Sequence, residues 1–195
     1  AQTLAPNIML SYQCDKVCHH HDLEKITDKL HQLNDTPIST IRIQDLGLIS
    51  LINEIAPTKK IQYLTETGNQ NTASINYLNQ HSQGQTLTNE LPHSELNTIT
   101  NTINTEFEIQ VQGPLLIQYS FRRFMEDINK EENAIIKLAQ DQEYPNRYYR
   151  FYDNNHGHFM YLYLHRSLLN TIPTLKKLRL KSWLIDARGE SDTYL

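Results

Sequence analysis

The chain has 195 residues, 38% of them hydrophobic, with only 6 glycines and 7 prolines, so it is long and apolar enough for a buried core and is neither a linker nor a fibrous segment. A net charge of −4 excludes whole-molecule attraction to nucleic acid or anionic lipid, though a local basic patch stays open. No apolar run approaches the length of a membrane span, no signal peptide is visible, and two cysteines cannot build a disulfide framework, so the expected compartment is the reducing cytoplasm.

Residues 8–12 read as a strand. Residues 14–21, CDKVCHHH, follow it and gather both cysteines with three of the nine histidines. His21 and Asp22 can cap a helix with Leu23, Ile26, Leu30 and Leu33 on one face. Residues 38–43, rich in β-branched side chains, form the next predicted strand, and Asp45 and Gly47 turn it into a helix carrying Leu48, Leu51, Ile52 and Ile55 ahead of Pro57. Strand 61–64, helix 71–80, strand 85–88, a helix opened by Pro92 and carrying Leu96, Ile99 and Ile103, and strand 107–111, extended through 115–117, continue the alternation. This cadence predicts an α/β fold with a parallel sheet, as a barrel or an open doubly wound sheet.

After Ser120 the regularity breaks. Residues 121–142 are densely charged, with a helix expected over 133–139. An aromatic stretch at 144–153 and the turn signal at 154–157 predict a β-hairpin within 144–164. A helix at 168–178, interrupted by Pro173, and a strand at 180–185 complete the series. With no internal repeat and no linker, residues 1–195 are expected to form one domain.

Five segments in register resemble the U32 peptidase (collagenase-like protease) family: IQDLGLI at 43–49 its "QDLG" turn, LTET at 64–67 followed by Asn71 its "STQ…N" segment, NEL at 89–91 its "RELS" turn, QGPLLIQYSFR at 112–122 its "HGALCVSYSGR" segment, and LIDAR at 184–188 its "KIEGR". The likeness covers roughly residues 38–188. It implies TIM-barrel-like (βα) repeats. The family's opening strand and helix, "GADAVYLG", have no counterpart, so either the chain is a fragment, or the barrel is incomplete, or a partner completes it; open edges would call for a protein partner or a second copy to cover them. Many relatives hold an iron–sulfur cluster on cysteines where this chain has Leu116 and Arg123. Such relatives hydroxylate tRNA, ribosomal RNA or a quinone precursor. No cysteine occurs after Cys18, so a four-thiolate cluster is not expected within this chain.

Candidate site residues follow from residue chemistry and from the likeness. Cys14, Cys18 and His19 could ligate zinc, although C-x3-C with adjacent histidines is no standard spacing and a plain helix-entry loop is the competing reading. Asp45, Glu66 and Glu90 each follow a predicted strand and could serve as acid, base or cation ligands, or simply cap helices. Ser120, Arg122 and Arg188 sit where the likeness places functional positions, and the arginines could hold a carboxylate or phosphate. The likeness adds Asn71 as a substrate-binding position. Tyr144, Tyr148, Tyr149, Phe151 and Tyr152, interleaved with Arg147 and Arg150, could stack on unpaired RNA bases or pack a strand on the core. Nothing in the sequence places a histidine beside Ser120, as a serine nucleophile would require.

The expected function is a cluster-free, U32-like protein binding an anionic or RNA-derived substrate at the barrel rim, as a subunit of an RNA-modifying hydroxylation system. The alternatives are a hydrolase in the sense of the family name and a non-catalytic subunit completing a partner's barrel. No membrane is expected among its partners.

Overall fold

A computed structural model describes residues 8–66, 70–125 and 136–188, with the backbone alone for Ile136 and Lys137. The chain forms two compact units, each discontinuous in sequence. The described residues of the first are 8–65, 70–86 and 103–106, and those of the second are 66, 87–102, 107–125 and 136–188.

The first unit is built from strand–helix repeats: β1 (Ser11–Cys14), α1 (Leu23–Asn34), β2 (Thr40–Ile43), α2 (Gly47–Ile55), β3 (Lys60–Leu64), α3 (Thr72–Leu78) and β4 (Gly84–Leu87). β1 pairs with β2, β2 with β3 and β3 with β4, all in parallel, and β1 is the edge strand. Alternation sorts the side chains of β2. Ile41 and Ile43 are buried with Leu30 and Leu33 of α1 and Leu48 and Ile52 of α2, which carry the predicted apolar stripes. On the opposite face, Arg42 Nη2 and Gln62 Nε2 donate to Thr86 Oγ1 at 3.4 and 3.0 Å. Polar side chains there depart from the apolar interior usual for parallel strands, and hydrogen bonding is what makes them tolerable.

Loop ends are closed by side chains. Lys59 Nζ donates to the carbonyls of Asn34, Thr36 and Ile38, at 3.4, 3.1 and 2.9 Å, gathering the acceptors left where α1 ends. Asn71 caps α3: its Oδ1 accepts from Ala73 N and Ser74 N, both at 3.0 Å.

The second unit contains α4 (His93–Thr102), β5 (Glu106–Gly113), β6 (Leu116–Ser120), β7 (Ile136–Gln140), β8 (Tyr148–Asn154), β9 (Gly157–Leu162), β10 (Arg166–Ser167), α5 (Ile172–Leu175) and β11 (Ser182–Ile185). β11 runs parallel to β5 and β10 antiparallel to it. β6, β9, β8 and β7 form a separate antiparallel sheet in that order. The hairpin predicted within 144–164 is β8–β9, turning at Gly157 with φ of +128°.

Three sequence expectations are corrected. Residues 136–139 form strand β7, not a helix, because each pairs across to β8, from Ile136 opposite Tyr152 to Ala139 opposite Tyr149; residues 133–135 lie outside the described residues. The helix expected over 168–178 shrinks to a 3-10 turn, Leu169–Thr171, and the single turn of α5 beginning beside Pro173. Strand β6 does not extend β5. Gly113, at φ of +123°, ends β5, and the chain leaves for the antiparallel sheet.

Candidate functional site

In the first unit, the loop after β1 is held by two carboxylates. Asp45, just beyond β2, accepts from Cys18 N through Oδ2 and from Gly47 N through Oδ1, each at 2.7 Å. A Cβ on Gly47 would stand 3.1 Å from Asp45 Oδ1, which explains why this turn takes an aspartate followed two residues later by glycine. Asp22 accepts from Lys16 Nζ at 2.6 Å and from His19 N at 2.9 Å. The hydrogen bond from Lys16, then that from His19, hold the Asp22 carboxyl down at about 2. Burial, the neighbouring Cys14 and Asp45 push the Cys18 thiol up to about 12, and burial also raises Cys14. Among the described residues no three histidines, cysteines or acids gather as a metal site, so Cys14, Cys18 and His19 do not converge on one ion.

In the second unit, charged side chains collect at the carboxyl end of β5. Asp186 N donates to Gln112 O at 2.9 Å, and a Cβ on Gly113 would come within 2.2 Å of Asp186 O; only glycine lets the two backbones approach so closely. Asp186, buried, accepts from Arg188 Nε at 3.0 Å and from Nη2 at 2.7 Å, and Arg188 Nη2 also donates to Glu66. The two acids hold the Arg188 guanidinium above even its ordinary value, against the opposing effect of burial. Glu66 is therefore ion-paired to Arg188, and this bond joins two residues that the sequence places in different motifs.

Arg166 lies opposite Gly113 in the β10–β5 register. Its Nη1 donates to Asn89 O at 3.2 Å and to Asn89 Oδ1 at 2.9 Å. Asn89 in turn donates to Gln110 Oε1 at 3.1 Å, and buried Gln110 donates to Pro114 O at 2.8 Å. Arg166 Nε is buried and has no hydrogen-bond partner among the described residues. Burial lowers the Arg166 pKa, and Glu90, an exposed residue of the same turn as Asn89, opposes that through space without a direct ion pair. The Arg166 guanidinium is thus partly buried and incompletely satisfied.

Ser120 and Arg122 do not belong to this group, since they lie at the end of β6 in the antiparallel sheet. Arg122 is exposed, and its N–H donates to Ser120 Oγ at 3.2 Å. Across the sheet Ser120 faces His158, whose Nδ1 lies 2.5 Å from Asp153 Oδ1, with both side chains buried. Asp153 Oδ2 accepts from Met125 N at 2.8 Å. Phe124 and Phe151 flank the imidazole. The tyrosine-rich stretch packs mainly against its neighbours: Tyr152 contacts Phe159, Tyr148 contacts Tyr163, and Arg150 lies over the Tyr163 ring, while Arg147 lies over Tyr144 within the stretch.

Of the predicted site residues, Glu66 and Arg188 come together, Glu90 stands beside Arg166, Asp45 and Asn71 serve backbone capping, and Ser120 stands with Arg122 elsewhere in the second unit. Sequence reasoning missed Arg166, Asp186, Asn89 and Gln110 as partners. Only the polar alternation Glu108, Gln110, Gln112 along β5, opposite Phe107, Ile109 and Val111, signals a polar face in advance. At the positions of the relatives' cluster cysteines, Leu116 is a buried apolar residue and Arg123 is exposed; neither supplies a thiolate, and the residues present do not fit an iron–sulfur cluster.

No helix among the described residues is long and apolar enough to cross a membrane. Comparison with curated proteins gives no match, and comparison with solved structures gives none either. The family model described as Peptidase family U32 matches residues 7–195, so nearly the whole chain is covered, and the chain belongs to that family.

Proposed function

We propose that the carboxyl end of β5 binds an anionic, RNA-derived substrate, with Arg166 as the main contact and Arg188 beside it as a fixed positive charge. The observation that carries this reading is Arg166 itself. It is a partly buried guanidinium with a neutral amide as its side-chain partner and a buried N–H that no group accepts. A phosphate or carboxylate oxygen would pair with the half-exposed side of this guanidinium, whose charge the fold leaves without an acid. Arg188 is already matched by Glu66 and Asp186 and serves to brace the strand end. The barrel kinship of the strand–helix repeats supports the location, because barrels place functional groups at the carboxyl ends of their strands. The protein would act without a cluster of its own, as the substrate-holding subunit of an RNA-modifying system. Binding of a fluorescent oligoribonucleotide to Arg166→Gln should weaken about tenfold relative to the unchanged chain. Equal binding would end the proposal.

A second reading, hydrolysis, draws on the antiparallel sheet. Ser120 opposite His158, with Asp153 on the imidazole Nδ1, brings together the three residue types of a serine hydrolase. Against it, Ser120 Oγ accepts from Arg122 N, and no hydrogen bond joins it to the imidazole. Casein cleavage that disappears in Ser120→Ala and in His158→Ala would favour this reading over the first; no cleavage, or cleavage persisting in Ser120→Ala, would remove it.

A further inference from the structure

A pocket of about 230 Å³ lies in the first unit, between the helix-side face of β1 and β2 and the helices α1 and α2. Ile41, Ile43 and Ile52 form its floor and are almost fully buried, whereas Lys25 and Lys29 are exposed and mark its mouth. Ile26 and Leu30 of α1 form one wall, and Tyr12 and Cys14 of the edge strand the other.

Interiors of this kind close to crystal-like density and rarely leave space larger than a water molecule. An apolar cavity of about 150 Å³ is enough to hold benzene, so this one suits a ligand of about nine non-hydrogen atoms. The lining fixes the chemistry of the deep end, which offers hydrocarbon contacts to whatever fills it. The mouth fixes the other end. Lys25 and Lys29 stand one helical turn apart, where like charges repel, and neither has an ion pair among the described residues. A single anionic head between them would relieve that repulsion while its tail covers the isoleucines. We infer that this pocket binds a small apolar-tailed carboxylate, of the class of a medium-chain alkanoate, at a site separate in sequence and composition from the arginines at the end of β5.

The probe is octanoate, with 1-octanol as the neutral control, titrated into the full chain carrying labelled isoleucine and leucine methyl groups. Saturable shifts at Ile26, Leu30 and Ile52 are expected with octanoate. Lys25→Gln combined with Lys29→Gln, two exposed changes that leave the fold in place, should weaken octanoate about tenfold and leave octanol unchanged. Ile26→Trp, which fills the pocket, should abolish both. Octanol binding as tightly as octanoate, no shift at those methyl groups, or octanoate binding unaffected by the double substitution would each overturn the inference. So would a concentration-dependent dimer that perturbs the same methyl groups without ligand, which would assign the pocket to a second copy of this chain.

Discussion

Asp45 in the first unit and Arg166 in the second are held in opposite ways. In the first, Asp45 commits both carboxylate oxygens to backbone N–H groups, those of Cys18 and Gly47. In the second, Arg166 rests on the oxygens of one asparagine and keeps a buried N–H without an acceptor among the described residues, while Arg188 is matched by two acids. Position at a strand's end therefore does not make a residue a ligand. What separates a structural charge from a binding one is how much of its hydrogen-bonding capacity the fold has already taken up.

That contrast can be broken or sharpened by substitution. The largest effect is expected at Arg188. Arg188→Met leaves Asp186 buried and charged with Glu66 beside it, and should cost about 3 kcal/mol in urea unfolding, the low end for a buried pair because the arginine retains solvent contact. A change near zero would mean that the cluster is not locked and that Arg188 is itself available to ligand. Asp45→Ala removes two charge-assisted bonds to backbone and should cost about 2 kcal/mol, with faster amide exchange at Cys18 and Gly47. Unchanged exchange there would erase the distinction between the units.

A smaller effect is expected at Asp22. Its folded pKa, about 2, lies below the ordinary carboxylate value, so its contribution is present above about pH 4 and disappears as pH falls towards 2. Asp22→Asn should lower stability at neutral pH by about 1 kcal/mol, allowing for solvent screening, and should flatten the acid limb of the stability curve between those values. An acid limb of unchanged steepness would show that the Lys16 and His19 contacts do not hold the loop.

Much of the first unit is legible in sequence because its signals are local. The stripe Ile26, Leu30, Leu33 and the β-branched residues at 38–43 each name their own element, and the aspartate and glycine of the QDLG turn name the helix start. The second unit is less legible because pairing across long separations decides it. Residues 136–139, with apolar side chains at 136, 138 and 139, fit a helical stripe as well as a strand until the partner strand 148–154 settles the matter. His158 reaches Asp153 and Ser120 only through the sheet, and Arg166 meets Asn89 across 77 positions in sequence. Arg166 carries no motif of its own; what marks it is the carbonyl and amide oxygens that another turn presents to it. Glu66 and Arg188, by contrast, each belong to a legible motif, and only the fold shows that they neutralise one another.

The register of β10 against β5 has a consequence for modularity. Arg166 lies opposite Gly113, so the chain departs at one point and re-enters directly across from it. The antiparallel strands β6, β8 and β9 are thus carried between two anchor residues that face each other across β5 and β10. Strands carried in this way can be exchanged, lengthened or cut back to a tight loop while Gln112 and Ser167 remain in register, so this family member can vary the appendage beside its arginine without rebuilding the strands that support it.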